Sequence, residues 1–81
     1  MTLDKAKEGS TVKIKGFLDD GYIPARMSGL GIMKGAVLKI IRAAPFGGPL
    51  LVEDTVCGGR VMICKGIASR VKVEIEKTAK K

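Results

Sequence analysis

Arg26-Met27-Ser28-Gly29-Leu30-Gly31-Ile32-Met33-Lys34-Gly35-Ala36-Val37-Leu38-Lys39-Ile40-Ile41-Arg42 changes periodicity once, and that change decides the fold class. Up to Gly31 the pattern is that of a short helix. Pro24 suits a first helical turn, where its missing N–H costs nothing, and Ala25 to Ser28 continue it. Gly31 is placed to end the helix in the left-handed conformation. A segment of about two turns is too short to hold itself by propensity, so burial of Met27 and Leu30 must hold it. From 35 to 42 the residues become apolar and β-branched. Leu38 and Ile40 share one face and Val37 and Ile41 the other, as in a strand covered on both sides.

Working outward, residues 11–17 alternate strictly, with Val12 and Ile14 on one face and Lys13 and Lys15 on the other, which predicts a half-buried strand. Pro45-Phe46-Gly47-Gly48-Pro49 is a breaker, rich in residues that lack a donor N–H or tolerate positive φ. Two further strands are expected over 50–53 and 60–64. Gly58-Gly59 between them is read as a two-residue type I′ hairpin turn, which needs positive φ at both positions. A fifth strand is expected over 71–76, and a helical turn near 67–70. The expectation is mainly β: a small barrel of about five strands with one or two short helices, closing on itself to pair its edges. Residues 1–76 are read as one domain and 77–81 as a basic, frayed tail.

Charge looks at first like a nucleic-acid signature. The chain of 81 residues carries 15 Lys+Arg against 8 Asp+Glu, a formal +7. The excess sits at the ends, because residues 17–64 carry only +1 and residues 65–81 carry +4. A lysine-rich tail and solvated strand faces explain that distribution, and Phe17, Tyr22 and Phe46 are too few and scattered to form a stacking platform. Nucleic acid is therefore not favoured as a partner. No apolar run approaches the roughly 18–20 residues of a membrane span. Met1-Thr2-Leu3-Asp4-Lys5 has no secretory apolar core, so the expected location is cytoplasmic, with reduced thiols.

Candidate chemistry is thin. The sequence has no histidine, the commonest general base and metal ligand, and only two cysteines. With the two-glycine turn, Cys57 faces Arg60 and Cys64 faces Glu53, too far apart for a disulfide or a shared metal, and both thiols are read as small buried or half-buried hydrophobes. Met27, Met33 and Met62 lack the close spacing of a copper(I) site and are read as core filling. Asp19-Asp20 is read as a turn and Glu53-Asp54 as the mouth of a hairpin, neither with the oxygen pattern of a calcium loop. Residues 29–35 have the glycines of a phosphate loop but follow a helix instead of preceding one, and lack Gly-Lys-Ser/Thr. Ser10, Ser28 and Ser69 have no histidine to activate them. The reading is of a protein that is not an enzyme, with no cofactor evident.

The central stretch also carries a resemblance. Arg26-Met27-Ser28-Gly29-Leu30-Gly31-Ile32-Met33-Lys34-Gly35 fits an Arg-Leu-x-x-Leu-Gly-Ile-x-x-Gly pattern, continuing through Leu38, Ile40 and Arg42 to Pro45 and Gly47-Gly48-Pro49. Leu3, Gly9 and the strand from Val12 to Ile14 fit ahead of it. Val56-x-Gly58-x-x-Val61-x-Ile63 and Ala68-x-x-Val71-x-Val73 fit behind. In this order the pieces resemble the ferrous iron transport protein A (FeoA) family across residues 3–74. The chain departs from the pattern at Gly48, where the family usually has Asp, and at Cys64 and Ile67, and it is longer between Pro49 and Gly58.

The resemblance implies an SH3-like β-barrel that assists the membrane ferrous iron transporter B, a GTPase-linked permease, by contact on its cytoplasmic side. It also implies likeness to the barrel domain of metal-dependent repressors. The expected partner surface is Met27, Met33, Pro45, Phe46, Gly47, Gly48 and Pro49, with Phe46 held between breakers where no core role is forced. The basic tail would add long-range attraction to an acidic partner or lipid, and the chain is read as a monomer or weakly self-associating. Two other readings stay open: an interaction module that binds or responds to a transition metal, which beside this resemblance would be Fe²⁺, and a basic nucleic-acid-binding barrel.

Overall fold

Alternation in 11–17 does build a strand, β1 (Thr11–Phe17), with Val12 and Ile14 fully buried. In this computed structural model, which describes residues 1–18, 21–45 and 47–77, four more strands follow: β2 (Val37–Ala43), β3 (Leu50–Asp54), β4 (Arg60–Ile63) and β5 (Val71–Lys77). They form one antiparallel sheet in the order β4-β3-β2-β1-β5. A 3₁₀ turn at Leu3–Lys5 precedes β1, α1 (Tyr22–Gly29) joins β1 to β2, and α2 (Lys65–Ala68) joins β4 to β5. Every strand sends side chains into one cluster, including Leu38, Ile40, Leu50, Val52, Ile63, Val71 and Val73, so the sheet wraps around its core. Among the described residues no helix is long and apolar enough to cross a membrane.

Two bulges keep the core apolar. Val12 and Ile14 point inward, and strict alternation would next aim Gly16 at the core. The β1–β5 register shifts between Ile14 and Gly16, which instead pairs Phe17 with Val71 and lets Phe17 pack on the core. Likewise Leu38 and Ile40 point inward, and alternation would bury Arg42. A shift between Ile40 and Arg42 leaves Arg42 exposed and pairs Ala43 with the buried Leu50. One extra residue reverses the facing of everything after it and adds curvature.

The helix ends as its sequence suggests. Gly31 takes φ +81°, its N–H donates to the Ser28 carbonyl at 2.9 Å, and the Ile32 N–H donates to the Met27 carbonyl at 2.8 Å. These two bonds make a Schellman cap, and the apolar contact that accompanies it is Ile32 against Met27, both buried. Leu30, expected in the core, is instead 40% exposed, because the cap turns Ile32 inward in its place. Gly35, expected within the second strand, sits at φ +94° ahead of it, donating to the Ile14 carbonyl at 2.8 Å.

The β3–β4 connection differs from the expected two-residue turn. Glu53 pairs with Arg60 and Val52 with Val61, so the loop spans residues 55–59. The Asp54 Oδ1 accepts from the N–H groups of Val56 (2.8 Å) and Cys57 (3.3 Å), and the Gly58 N–H donates back to the Asp54 carbonyl at 2.8 Å. That is a single capped helical turn, ended by Gly58 alone at positive φ. Cys57 therefore lies in an exposed turn, not opposite Arg60. Cys64 is not a strand residue either. Position 49, which would pair with it, is proline and has no N–H to extend the ladder beyond Leu50–Ile63, so Cys64 becomes the N-cap of α2. This also starts the second helix at Lys65, earlier than expected. Both thiols are free and exposed, contrary to the buried reading. Lys77, expected in the tail, pairs with Thr11 as the last residue of β5. The rest of the expected tail, 78–81, lies outside the described residues, as do Asp19-Asp20 and Phe46.

Candidate functional site: a surface for a partner

Loop 45–49 joins β2 to β3, and two backbone bonds close it: Ala44 N–H to the Pro49 carbonyl at 3.1 Å and Gly48 N–H to the Pro45 carbonyl at 3.2 Å. Both of its glycines are required. Gly47 takes φ +78°, and a Cβ on it would lie 3.3 Å from Lys65 Cδ. A Cβ on Gly48 would fall 2.6 Å from the Ala44 Cβ, closer than carbon atoms approach. The Lys65 stem therefore lies beside Gly47, which places the loop next to the start of α2. Pro45, Gly47 and Pro49 are exposed and Gly48 is half-buried.

The expected surface residues do not all meet. Met27 is fully buried under α1, four residues from buried Ile23 on the same helix face, so it belongs to the core and not to a contact surface. Met33 is 59% exposed, but it lies toward the far end of β3 from loop 45–49. Its carbonyl accepts from the Ala36 N–H just before β2, and Val37, the first residue of β2, receives the Thr55 N–H and hydroxyl at 3.1 Å. Leu30 faces the same 55–59 loop across a cleft that also includes Cys57 and Arg60. Met62, read as core, is exposed because β4 turns Ile63 inward and Met62 outward.

Part of the charge on the strand faces is matched across the sheet. Lys13 stands opposite Glu74, and Lys39 and Arg60 both stand opposite Glu53. The Arg60–Glu53 ion pair closes to 2.7 Å and Lys15–Glu74 to 3.6 Å. The sheet face is thus a mixed-sign surface, without the one-sign track that a nucleic-acid backbone follows.

Sequence reasoning missed an open groove between α1 and α2, bounded by Tyr22, Ile23, Arg26, Cys64, Ile67 and Arg70. The signal was present: Tyr22 and Arg26 are four apart, on the helix face beside the Ile23–Met27 stripe. Among the described residues no three His, Cys, Asp or Glu side chains converge.

No protein of curated function matches the sequence. Solved structures do. The FeoA protein of Chlorobium tepidum is 28% identical, with a TM-score of 0.80, over 94% of this chain and 70% of that one. FeoA of Stenotrophomonas maltophilia, described as a prokaryotic SH3 domain protein and solved with zinc, is 27% identical with a TM-score of 0.74, over 91% and 89%. The manganese regulator SloR shares the fold at 20% identity and a TM-score of 0.80, this chain spanning 34% of its length. A family model, the FeoA domain, matches residues 1–75, and the chain belongs to the FeoA family, a mainly β, SH3-like fold associated with ferrous iron transport.

Proposed function

We propose that this protein is a cytoplasmic accessory factor of ferrous iron uptake that acts by binding the cytoplasmic part of the membrane ferrous iron transporter B. The observation that carries the reading is FeoA membership over residues 1–75, in a chain whose described residues assemble no metal cluster and which has no histidine. Contact, rather than chemistry, is what such a surface can supply. The S. maltophilia relative, suggested to act as a ferrous iron transport activating factor, supports the same direction.

The contact surface we favour is loop 45–49 together with the start of α2. Backbone bonds from Ala44 to Pro49 and from Gly48 to Pro45 fix the two ends of the loop, which lowers the conformational entropy lost on docking. Met33, exposed toward the other end of β3, is a second contact whose part is separable by the M33S substitution. The test is calorimetric titration of the full chain into the purified cytoplasmic domain of the transporter. Saturable binding weakened by Pro49→Lys supports the reading. Absence of heat together with tight, salt-sensitive binding of RNA overturns it in favour of a nucleic-acid module.

A further inference from the structure

The α1–α2 groove combines apolar walls with two arginines. Its walls include Ile23, 3% exposed, and Ile67, which packs on the core, so the trough is apolar. Arg26 and Arg70 are exposed, and Tyr22 is 66% exposed. The groove is open to solvent, with about 480 Å³ of space over it for the side chains of a visiting segment. Cys64 and Gly66 border it at α2 and flank Lys65, which makes the groove continuous with loop 45–49 through the Lys65–Gly47 contact.

The guanidinium groups of Arg26 and Arg70 have no ion-pair or hydrogen-bond partner among the described residues. Two cations on the sheet, Lys15 and Arg60, are by contrast each matched to a glutamate. An apolar trough bearing two unmatched arginines, with a third cation at its end, is complementary to a chain segment that is apolar in the middle and acidic around it. We propose that this groove docks an acidic segment of the partner, one apolar side chain entering the trough and flanking carboxylates accepted by Arg26 and Arg70. The planar fork of a guanidinium matches a carboxylate with two parallel bonds, which gives direction as well as attraction. A free anion would leave the trough unfilled. A nucleic-acid strand would ask for successive stacking surfaces, and Tyr22 is the one exposed aromatic among the described residues.

The inference deepens the proposed contact with the transporter and rests on it, so the test separates the two. In a first arm, the ¹⁵N-labelled full chain is titrated with the acetylated, amidated peptide Glu-Glu-Leu-Glu-Glu, and amide shifts are followed by NMR. Shifts should concentrate on residues 22–26 and 64–70, weaken between about 50 and 300 mM salt, and vanish in R26E/R70E. Both side chains are exposed, and retained spectral dispersion shows that the variant folds. Shifts scattered over the strand faces, or unchanged binding by R26E/R70E, overturn the groove. Tighter binding of a short single-stranded RNA at these same residues overturns it as well.

In a second arm, the cytoplasmic domain of the transporter replaces the peptide. R26E/R70E should lower affinity at least about tenfold, and K7E/K34E, with the same change in net charge, less than about threefold. Equal loss in both variants reduces the effect to net charge and overturns the groove while the partnership stands. Peptide binding in the groove with no binding of the domain rejects the partnership and leaves the acidic-segment site in place.

Discussion

Replacing Gly48 with alanine tests the geometry of loop 45–49 directly. The added methyl would sit 2.6 Å from the Ala44 Cβ, where carbon atoms rest about 3.5–4.0 Å apart, an overlap of roughly 1 Å. Neither side can yield freely. Ala44 is tied to Pro49 by its N–H at 3.1 Å, and Gly48 to Pro45 at 3.2 Å, so relief requires breaking one of the two bonds that close the loop. Overpacking of this kind costs about 1–3 kcal/mol. In a domain of this size each kcal/mol lowers Tm by about 4–8 °C. Urea and thermal unfolding of G48A should therefore show a clear loss with an unchanged m-value.

Two companions make the outcome decisive. A44G/G48A removes the opposing methyl and should recover most of the loss, short of about 0.5–1 kcal/mol for the added glycine. G59A, whose new Cβ would meet Cys57 Sγ at an ordinary 3.6 Å, should change stability little. A G48A protein as stable as the parent, or an A44G/G48A protein no better than G48A, would refute the packing argument. The same contact gives a physical account of the departure from the family pattern at this position. With Ala44 and Gly48 this close, the aspartate usual there would meet the same clash.

Other expectations are simpler. Gly31→Ala forces a side chain into φ +81° and should cost about 1–2 kcal/mol by urea unfolding, with Gly31→Asn milder. Met27→Ala should cost about 2–5 kcal/mol because the side chain is fully buried, whereas exposed Met33→Ser should stay within about 0.5 kcal/mol. Cys57 and Cys64, both exposed, should react fully with a thiol reagent in the native state, and Cys→Ser at either position should leave Tm nearly unchanged.

Much of the architecture was legible because it rests on local pattern. Val12 and Ile14 announced β1, the residues around Leu38 and Ile40 announced β2, and Gly31 announced the end of α1. What was not legible depended on partners distant in sequence. Gly58-Gly59 has the composition of a two-residue turn, but the Asp54 carboxylate caps the preceding turn and moves the hairpin register, so Cys57 lies outside the ladder. Pro49 stops the same ladder at its other end and exposes Cys64. Bulges at Lys15 and Ile41 cannot be read from alternation, although Gly16 and Arg42, polar or small where an apolar residue was due, mark where they fall. For the candidate surface, Met27 followed the helix stripe into the core, and the groove at Arg26 and Arg70 emerged only when α1 and α2 were brought together.

The measurement that bears most directly on the account is the affinity of the full chain for the cytoplasmic domain of the ferrous iron transporter, taken beside R26E/R70E and K7E/K34E. The account predicts saturable binding that the arginine reversals weaken and the lysine reversals spare. No binding by the parent protein at any concentration reached, with RNA bound tightly instead, would contradict it.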